Sequence, residues 1–225
     1  MSNSLKNITL PVYSKGEELC NTISHAFGII LGIVVLILSV SSSVTHKDTL
    51  TTISCIIYGI TMIILYSMST IYHGMSLKHE SAKKVFRVLD HCTIYLLIAG
   101  TYTPIAIGGI REESVTLGWA VVGIQWFLCL LCLTLTAIDL KKYNIFSLIC
   151  YVIMGWLLVF FWNPTVRAFT KQGFVFCLSG GIMYTIGAVL YAIGKKKKYV
   201  HSVFHLFVLA GSLLQFLGIY LYILK

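Results

Sequence analysis

Residues 199–224 read YVHSVFHLFVLAGSLLQFLGIYLYIL, an apolar stretch with two histidines near its start. About 20 predominantly apolar residues cross the hydrocarbon core of a bilayer as an α-helix, so this stretch is long enough to span a membrane. His201 and His205 stand four residues apart, which places both side chains on one face of a helix, one turn apart. This is a spacing typical of metal ligands, and it lies inside a predicted membrane span.

The composition of the whole chain is that of a membrane protein, with 57% hydrophobic and only 11% charged residues among 225. Soluble domains average about 25% charged residues. Short charged or turn-rich breaks separate six further apolar stretches, at residues 24–43, 50–73, 88–110, 115–138, 143–162 and 173–194. The pattern therefore predicts an all-α integral membrane protein, one domain over residues 1–225 built as a bundle of seven transmembrane helices.

Residues 1–23 precede the first apolar stretch and are mostly polar. The first apolar stretch is span-length and lies far from the N-terminus, so no cleavable signal peptide is predicted. Ser14 and Glu17 have capping-box spacing, which predicts a short interfacial helix starting near Lys15. We expect residues 1–23 to form a cytoplasmic N-terminal segment.

The orientation follows from the distribution of the 17 basic residues, because cytoplasmic loops retain Lys and Arg. Twelve fall on the N-terminal side of a seven-span chain and five on the opposite side. The twelve are Lys6, Lys15, Lys78, Lys83, Lys84, Arg87, Lys141, Lys142 and Lys195 to Lys198. The N-terminus is therefore predicted to be cytoplasmic and the C-terminus external. The net charge of +9 lies in short loops beside the membrane, where it favours anionic lipid headgroups over nucleic acid.

With this topology, four polar residues fall at one depth. His73 ends the second span, Asp90 begins the third, and His201 and His205 begin the seventh. Ser69 stands four residues before His73 on the same helix face. Ionisable groups inside a membrane are costly, at least about 2.5 kcal/mol unless paired or hydrated, and they commonly mark functional sites.

Three neutral imidazoles around one point favour a zinc ion, with the fourth tetrahedral position left open as in catalytic sites. Zinc would lower the pKa of water to about 7, Asp90 could accept the proton, and Ser69 could hold a substrate oxygen. Histidines at helix ends also pack within bundles, and the residue pattern alone leaves that alternative open.

The chain resembles the bacterial hemolysin III family, within the progestin and adipoQ receptor superfamily that includes the adiponectin receptors. The resemblance covers nearly the whole chain. It is carried by ELCNTISH at 18–25, STIYH at 69–73, LDH at 89–91, GTYTP at 100–104, GW at 155–156, GGIMYTIG at 180–187 and HSVFHLFVLAG at 201–211.

The resemblance implies a seven-helix bundle with a cytoplasmic N-terminus and Zn²⁺ bound by His73, His201 and His205. It also implies that Ser69 and Asp90 belong to a hydrolytic site, with a lipid amide such as ceramide as the substrate class of animal relatives. His25 resembles a feature of the bacterial members and is expected behind the metal ligands or at the rim of a substrate site. Gln215 departs from the family pattern, in which many relatives carry a histidine.

Three functions are compatible with these residues. The first is a zinc-dependent membrane hydrolase acting on a lipid amide or ester, such as a sphingolipid, near the cytoplasmic leaflet and linked to membrane lipid homeostasis. The second is a membrane-perturbing or pore-forming hemolysin, and the third is a zinc-stabilised lipid sensor without turnover. All three predict a multi-pass protein of the bacterial cytoplasmic membrane, with membrane lipids and no nucleic acid as partners.

Overall fold

A computed structural model describes Leu5 and residues 8–194 and 197–225 of the chain. Lys6, Lys195 and Lys196, which contribute to the predicted orientation, lie outside the described residues. Within them the chain is all-helical and contains no strand. The α-helices of four or more residues are α1 (Lys15–His46), α2 (Thr49–Gly74), α3 (Glu80–Ile105), α4 (Val115–Ile138), α5 (Asn144–Gly155), α6 (Leu157–Phe160), α7 (Trp162–Ile193) and α8 (Val200–Tyr222).

Among the described residues, six helical segments are long and apolar enough to cross a membrane. They are α1, α2, α4, α7, α8 and the stretch Leu77–Glu113, in which α3 is flanked by a 3₁₀ turn and a π-helical turn at Ala106–Ile110. The predicted fourth span coincides with α4, and the predicted second and seventh spans differ from α2 and α8 by one or two residues at each end.

The fifth predicted span, 143–162, does not form one span-length helix, so seven span-length helices are not confirmed. The segment divides into α5 and α6 at Trp156. The Tyr102 hydroxyl enters the break: it donates to the Gly155 carbonyl oxygen at 2.8 Å and accepts from the Leu158 amide at 3.0 Å. A side chain that takes both backbone groups in this way interrupts the helical hydrogen-bond ladder.

Three other boundaries differ from the prediction. Helix α3 starts at Glu80, eight residues before the predicted third span. Helix α1 begins at Lys15 with the predicted capping box on Ser14, but it continues without a break to His46, so residues 15–23 do not form a separate short helix. Helix α7 starts at Trp162, eleven residues before the predicted sixth span, and contains a non-helical residue at Thr170, with φ 65° and ψ 166°.

The closest helix packing is between α7 and α8, α1 and α2, and α2 and α3, and α8 also packs on α1. At the α7–α8 contact, an added Cβ on Gly180 would lie 2.9 Å from the Gly211 carbonyl oxygen. Small residues of this kind let helix backbones approach closely in membranes. The arrangement brings the N-terminal ends of α1, α3 and α8 together with the C-terminal end of α2.

Candidate metal centre and its cavities

Helix α1 fixes the start of α8, which carries two of the histidines. The Tyr199 amide, just before α8, donates to the Glu17 carboxylate at 2.9 Å. One turn further along each helix, the Ser202 hydroxyl donates to the side-chain oxygen of Asn21 at 2.6 Å. Asn21 is fully buried, so these contacts hold α8 in register with α1.

The imidazole rings of His73, His201 and His205 meet at their Nε2 atoms. His201 Nε2 lies 3.3 Å from His73 Nε2 and 3.1 Å from His205 Nε2. The three ligand atoms all lie within 4.8 Å of one another. Histidines from the end of α2 and the start of α8, far apart in the sequence, therefore converge on one point.

The outer nitrogens of two of the rings face oxygen acceptors. His73 Nδ1 lies 2.7 Å from a Glu18 carboxylate oxygen, and His205 Nδ1 lies 3.3 Å from the Asn21 carbonyl oxygen. Both oxygens can only accept, so a proton on each Nδ1 satisfies these contacts and leaves each Nε2 available as a metal ligand. The Asn21 side-chain amide nitrogen also lies 3.3 Å from His73 Nδ1.

The geometry fits a metal ion. Nitrogen ligands about 2.0–2.1 Å from a tetrahedral zinc lie about 3.3 Å from each other, close to the two separations between His201 and its neighbours. A histidine that ligates a metal commonly donates its other N–H to a carboxylate or carbonyl, as His73 and His205 do. The three histidines can therefore hold a metal ion.

Glu18 is itself held in place by Lys83 of α3. The Lys83 ammonium donates to the second Glu18 carboxylate oxygen at 2.7 Å and to the Met75 carbonyl oxygen at 2.8 Å. Only 2% of Lys83 is exposed, and a buried ammonium needs such partners. A chain of charge-assisted hydrogen bonds thus runs from Lys83 through Glu18 to His73.

A cavity of about 130 Å³ adjoins the histidine cluster and extends into the bundle. Its wall is mainly apolar, but His201, His205, Ser69, Asp90 and His25 all line it. The structure therefore brings these predicted site residues to one cavity, beside the centre that His73 completes. Gln215 lines the same cavity.

Two polar side chains in this wall have no hydrogen-bond partner among the described residues. The Ser69 hydroxyl and both ring nitrogens of His25 are buried and unpaired. His25 stacks on His205, with ring centroids 3.6 Å apart, and meets Tyr66 edge-on. Unpaired buried polar groups are rare in folded proteins because they are costly, so a ligand with polar atoms would stabilise this wall.

Tyr13 covers the cluster from the side of the N-terminal segment. Its ring stacks on His201, with centroids 5.1 Å apart, and lies 5.8 Å from the ring of His73. Burial raises the pKa of the Tyr13 phenol above its usual value, so the group is neutral.

Sequence reasoning missed the supporting residues rather than the ligands. It used Lys83 only to orient the chain and gave no role to Tyr13. It treated Glu18 and Asn21 only as marks of a family resemblance. The spacing of positions 18, 21 and 25 on one helix face was the available signal. Nothing in the sequence pairs Lys83 with Glu18, because they are 65 residues apart.

Six span-length helices around a buried histidine cluster define a multi-pass integral membrane protein with a candidate metal centre. The model of the family described as haemolysin-III related matches residues 13–216. The chain therefore belongs to the haemolysin-III related family.

Curated relatives match over most of their length. Hemolysin-3 of Bacillus cereus is 36% identical over 208 residues, 92% of each chain. The hemolysin-3 homolog of Bacillus subtilis strain 168 is 34% identical over 209 residues, 93% of this chain and 95% of its own. A human protein, monocyte to macrophage differentiation factor, is 28% identical over 221 residues, 93% of this chain and 85% of its own.

Proposed function

We propose that the protein is a zinc-dependent membrane hydrolase that cleaves a lipid amide or ester near the cytoplasmic leaflet. The observation that carries this proposal is the convergence of three histidine Nε2 atoms beside a mainly apolar cavity with an unpaired serine hydroxyl and a carboxylate. The mainly apolar cavity suits an acyl chain, and its wall includes His201 and His205 of the cluster.

The protein's own residues have different roles in the proposed hydrolysis. Glu18 and Asn21 fix the tautomers of His73 and His205 so that their lone pairs face inward. When bound, zinc supplies Lewis acidity that makes water nucleophilic near neutral pH. Asp90 accepts the proton released in the reaction, and Ser69 donates a hydrogen bond to the acyl oxygen of the substrate.

The proposed topology places this site at the cytoplasmic leaflet. The excess of basic residues on the N-terminal side supports a cytoplasmic N-terminus. If α5, α6 and the start of α7 together cross once, the chain crosses seven times and the C-terminus is external. A hydrolase at this depth would act on the lipids of its own membrane and so contribute to lipid homeostasis.

Turnover of acyl amides and esters by purified, zinc-loaded protein tests the proposal. Asp90→Asn and Ser69→Ala should each lower the rate at least about 100-fold, the scale of general acid–base catalysis, while retaining the metal. Ser54→Ala is the matched control, because Ser54 is a buried serine on the same helix whose hydroxyl donates to the Thr51 carbonyl oxygen and which does not line the cavity. Undiminished rates in both site variants would refute these roles.

A second candidate function is membrane perturbation, which the names of the two Bacillus relatives favour. Release of a trapped dye from proteoliposomes distinguishes it from hydrolysis. Leakage that survives replacement of all three histidines would support this function over the enzyme. Metal binding without turnover of any acyl amide or ester would instead favour the lipid sensor.

A further inference from the structure

A second cavity, of about 330 Å³, lies at the same end of the bundle as the histidines. One side is formed by residues 8–13 of the N-terminal segment, and the other by the ends of α3, α5 and α7. Arg87, Lys141 and Asn144 are among the residues that line it, in contrast to the mainly apolar cavity described above. It is therefore suited to a polar ligand group.

The charge in this second cavity is positive. Arg87 of α3 and Lys141, just before α5, both line it, and no aspartate or glutamate among the described residues does. Asp90, one turn along α3 from Arg87, lines the apolar cavity instead. Arg87 donates to the Thr9 carbonyl oxygen. Because a guanidinium has five N–H donors, Arg87 has further N–H groups that can bind a ligand. Two cations on separate elements, without a lining carboxylate, favour an anion.

The two cavities are neighbours beside the histidine cluster. His91, Tyr191 and His201 line both of them. A molecule that lies across this junction would have its apolar part in the bundle and its charged part against Arg87 and Lys141. Its middle would pass His201, where the proposed reaction takes place.

We propose that the second cavity is a headgroup site for an anionic acyl lipid, in which Arg87 and Lys141 bind a phosphate or carboxylate group at the polar end of the lipid. The proposal rests on the proposed hydrolase only in treating this lipid as a substrate, and it narrows the substrate class from lipid amides or esters in general to acidic ones. Lipid binding does not require turnover, so the headgroup site and the hydrolase can be refuted separately.

Native mass spectrometry of the zinc-loaded, full-length protein in detergent tests the site. The probes are dihexanoyl phosphatidylglycerol, dihexanoyl phosphatidylcholine and inorganic phosphate. The wild type should bind the acidic lipid about tenfold more tightly than the zwitterionic one, a ratio equivalent to about 1.4 kcal/mol. Arg87→Gln and Lys141→Gln should each remove most of this preference.

Lys142→Gln is the matched control, because it makes the same charge change one residue away. Lys142 lies over the Tyr143 ring and does not line the cavity. Lys141 is exposed, so Lys141→Gln should fold even if Arg87→Gln does not. A preference kept in Lys141→Gln, or lost equally in Lys142→Gln, would overturn the proposal.

Two further measurements are needed. One distinguishes a lipid headgroup from free phosphate as the bound anion, and the other distinguishes failure of the headgroup site from failure of the hydrolase. Inorganic phosphate that displaces phosphatidylglycerol at equal concentration would indicate a free-anion site and contradict the headgroup assignment. Asp90→Asn should retain the lipid preference while losing turnover. A wild type that prefers acidic lipid through Arg87 and Lys141 but hydrolyses none would refute the hydrolase and leave the headgroup site standing.

Discussion

Glu18 connects the histidine cluster to the rest of the bundle, because one of its carboxylate oxygens accepts from His73 and the other from Lys83. The ligands themselves are predictable from sequence, since histidines and an aspartate inside apolar stretches are costly to bury unless they bind something. The partners behind them are not, because Glu18 and Lys83 resemble ordinary charged residues flanking a span. Only the folded structure shows that Lys83 is buried.

Replacing Glu18 by Gln tests this supporting role. The amide cannot accept as strongly from His73 Nδ1, so the ring loses basicity and a fixed orientation. Loss of such a partner typically costs 10–100-fold in metal affinity, and competition with a chromogenic zinc chelator would measure it. Glu80→Gln, at an exposed ion pair with Lys84, is the control; equal affinity in wild type and Glu18→Gln would show that the contact is dispensable.

His25→Phe separates a ligand-binding role from a packing role. Phenylalanine keeps a ring against His205 and removes two unpaired buried nitrogens, which relieves a desolvation cost of about 1–3 kcal/mol. We expect an unchanged or higher melting temperature and retained metal, together with weaker substrate binding measured as a raised KM. Clear destabilisation with unchanged kinetics would assign His25 to packing.

At the scale of the helices, hydropathy predicts where apolar segments lie but not where they break. The α4 and α8 boundaries follow from composition, since charged or turn-forming residues flank both. Trp156 and its neighbours are as apolar as a continuous span, so the division between α5 and α6 is invisible without Tyr102, which is 53 residues from Gly155. A local hydropathy pattern cannot predict a hydrogen bond between residues so far apart in the sequence.

Neighbouring glycines on α7 give a matched test of helix packing. An added Cβ at Gly180 would lie 2.5 Å from Gln215 Cγ and 2.9 Å from a backbone oxygen of α8, whereas one at Gly181 meets nothing within 4 Å. Gly180→Ala should destabilise by about 1–3 kcal/mol through overpacking. Gly181→Ala should be neutral or stabilise by up to about 1 kcal/mol. Thermal unfolding in detergent measures both, and equal effects would contradict the close α7–α8 contact.

At the scale of the whole molecule, the membrane class and the all-helical fold were predictable because composition alone enforces them. The number of crossings depends on the segment 143–162, which the sequence treats as one span and the structure divides. An odd number of crossings places the two termini on opposite sides of the membrane, and an even number places them on the same side.

Reporter fusions to the C-terminus distinguish these cases. Seven crossings predict an active alkaline phosphatase and a dark green fluorescent protein after Lys225, because the first folds only outside and the second only in the cytoplasm. A fusion after Lys142, following four crossings, should give the reverse result and serves as the control. A fluorescent C-terminal fusion would indicate an even number of crossings.

The most direct measurement is the metal content of detergent-purified protein by inductively coupled plasma mass spectrometry. The wild type is compared with His73→Ala, His201→Ala and His205→Ala, each checked for a single monodisperse peak. We predict about one zinc per chain in the wild type, the stoichiometry of a single tetrahedral site, and its loss in every variant. No bound metal in wild type purified without chelator, or full retention in the variants, would contradict a metal centre at these histidines.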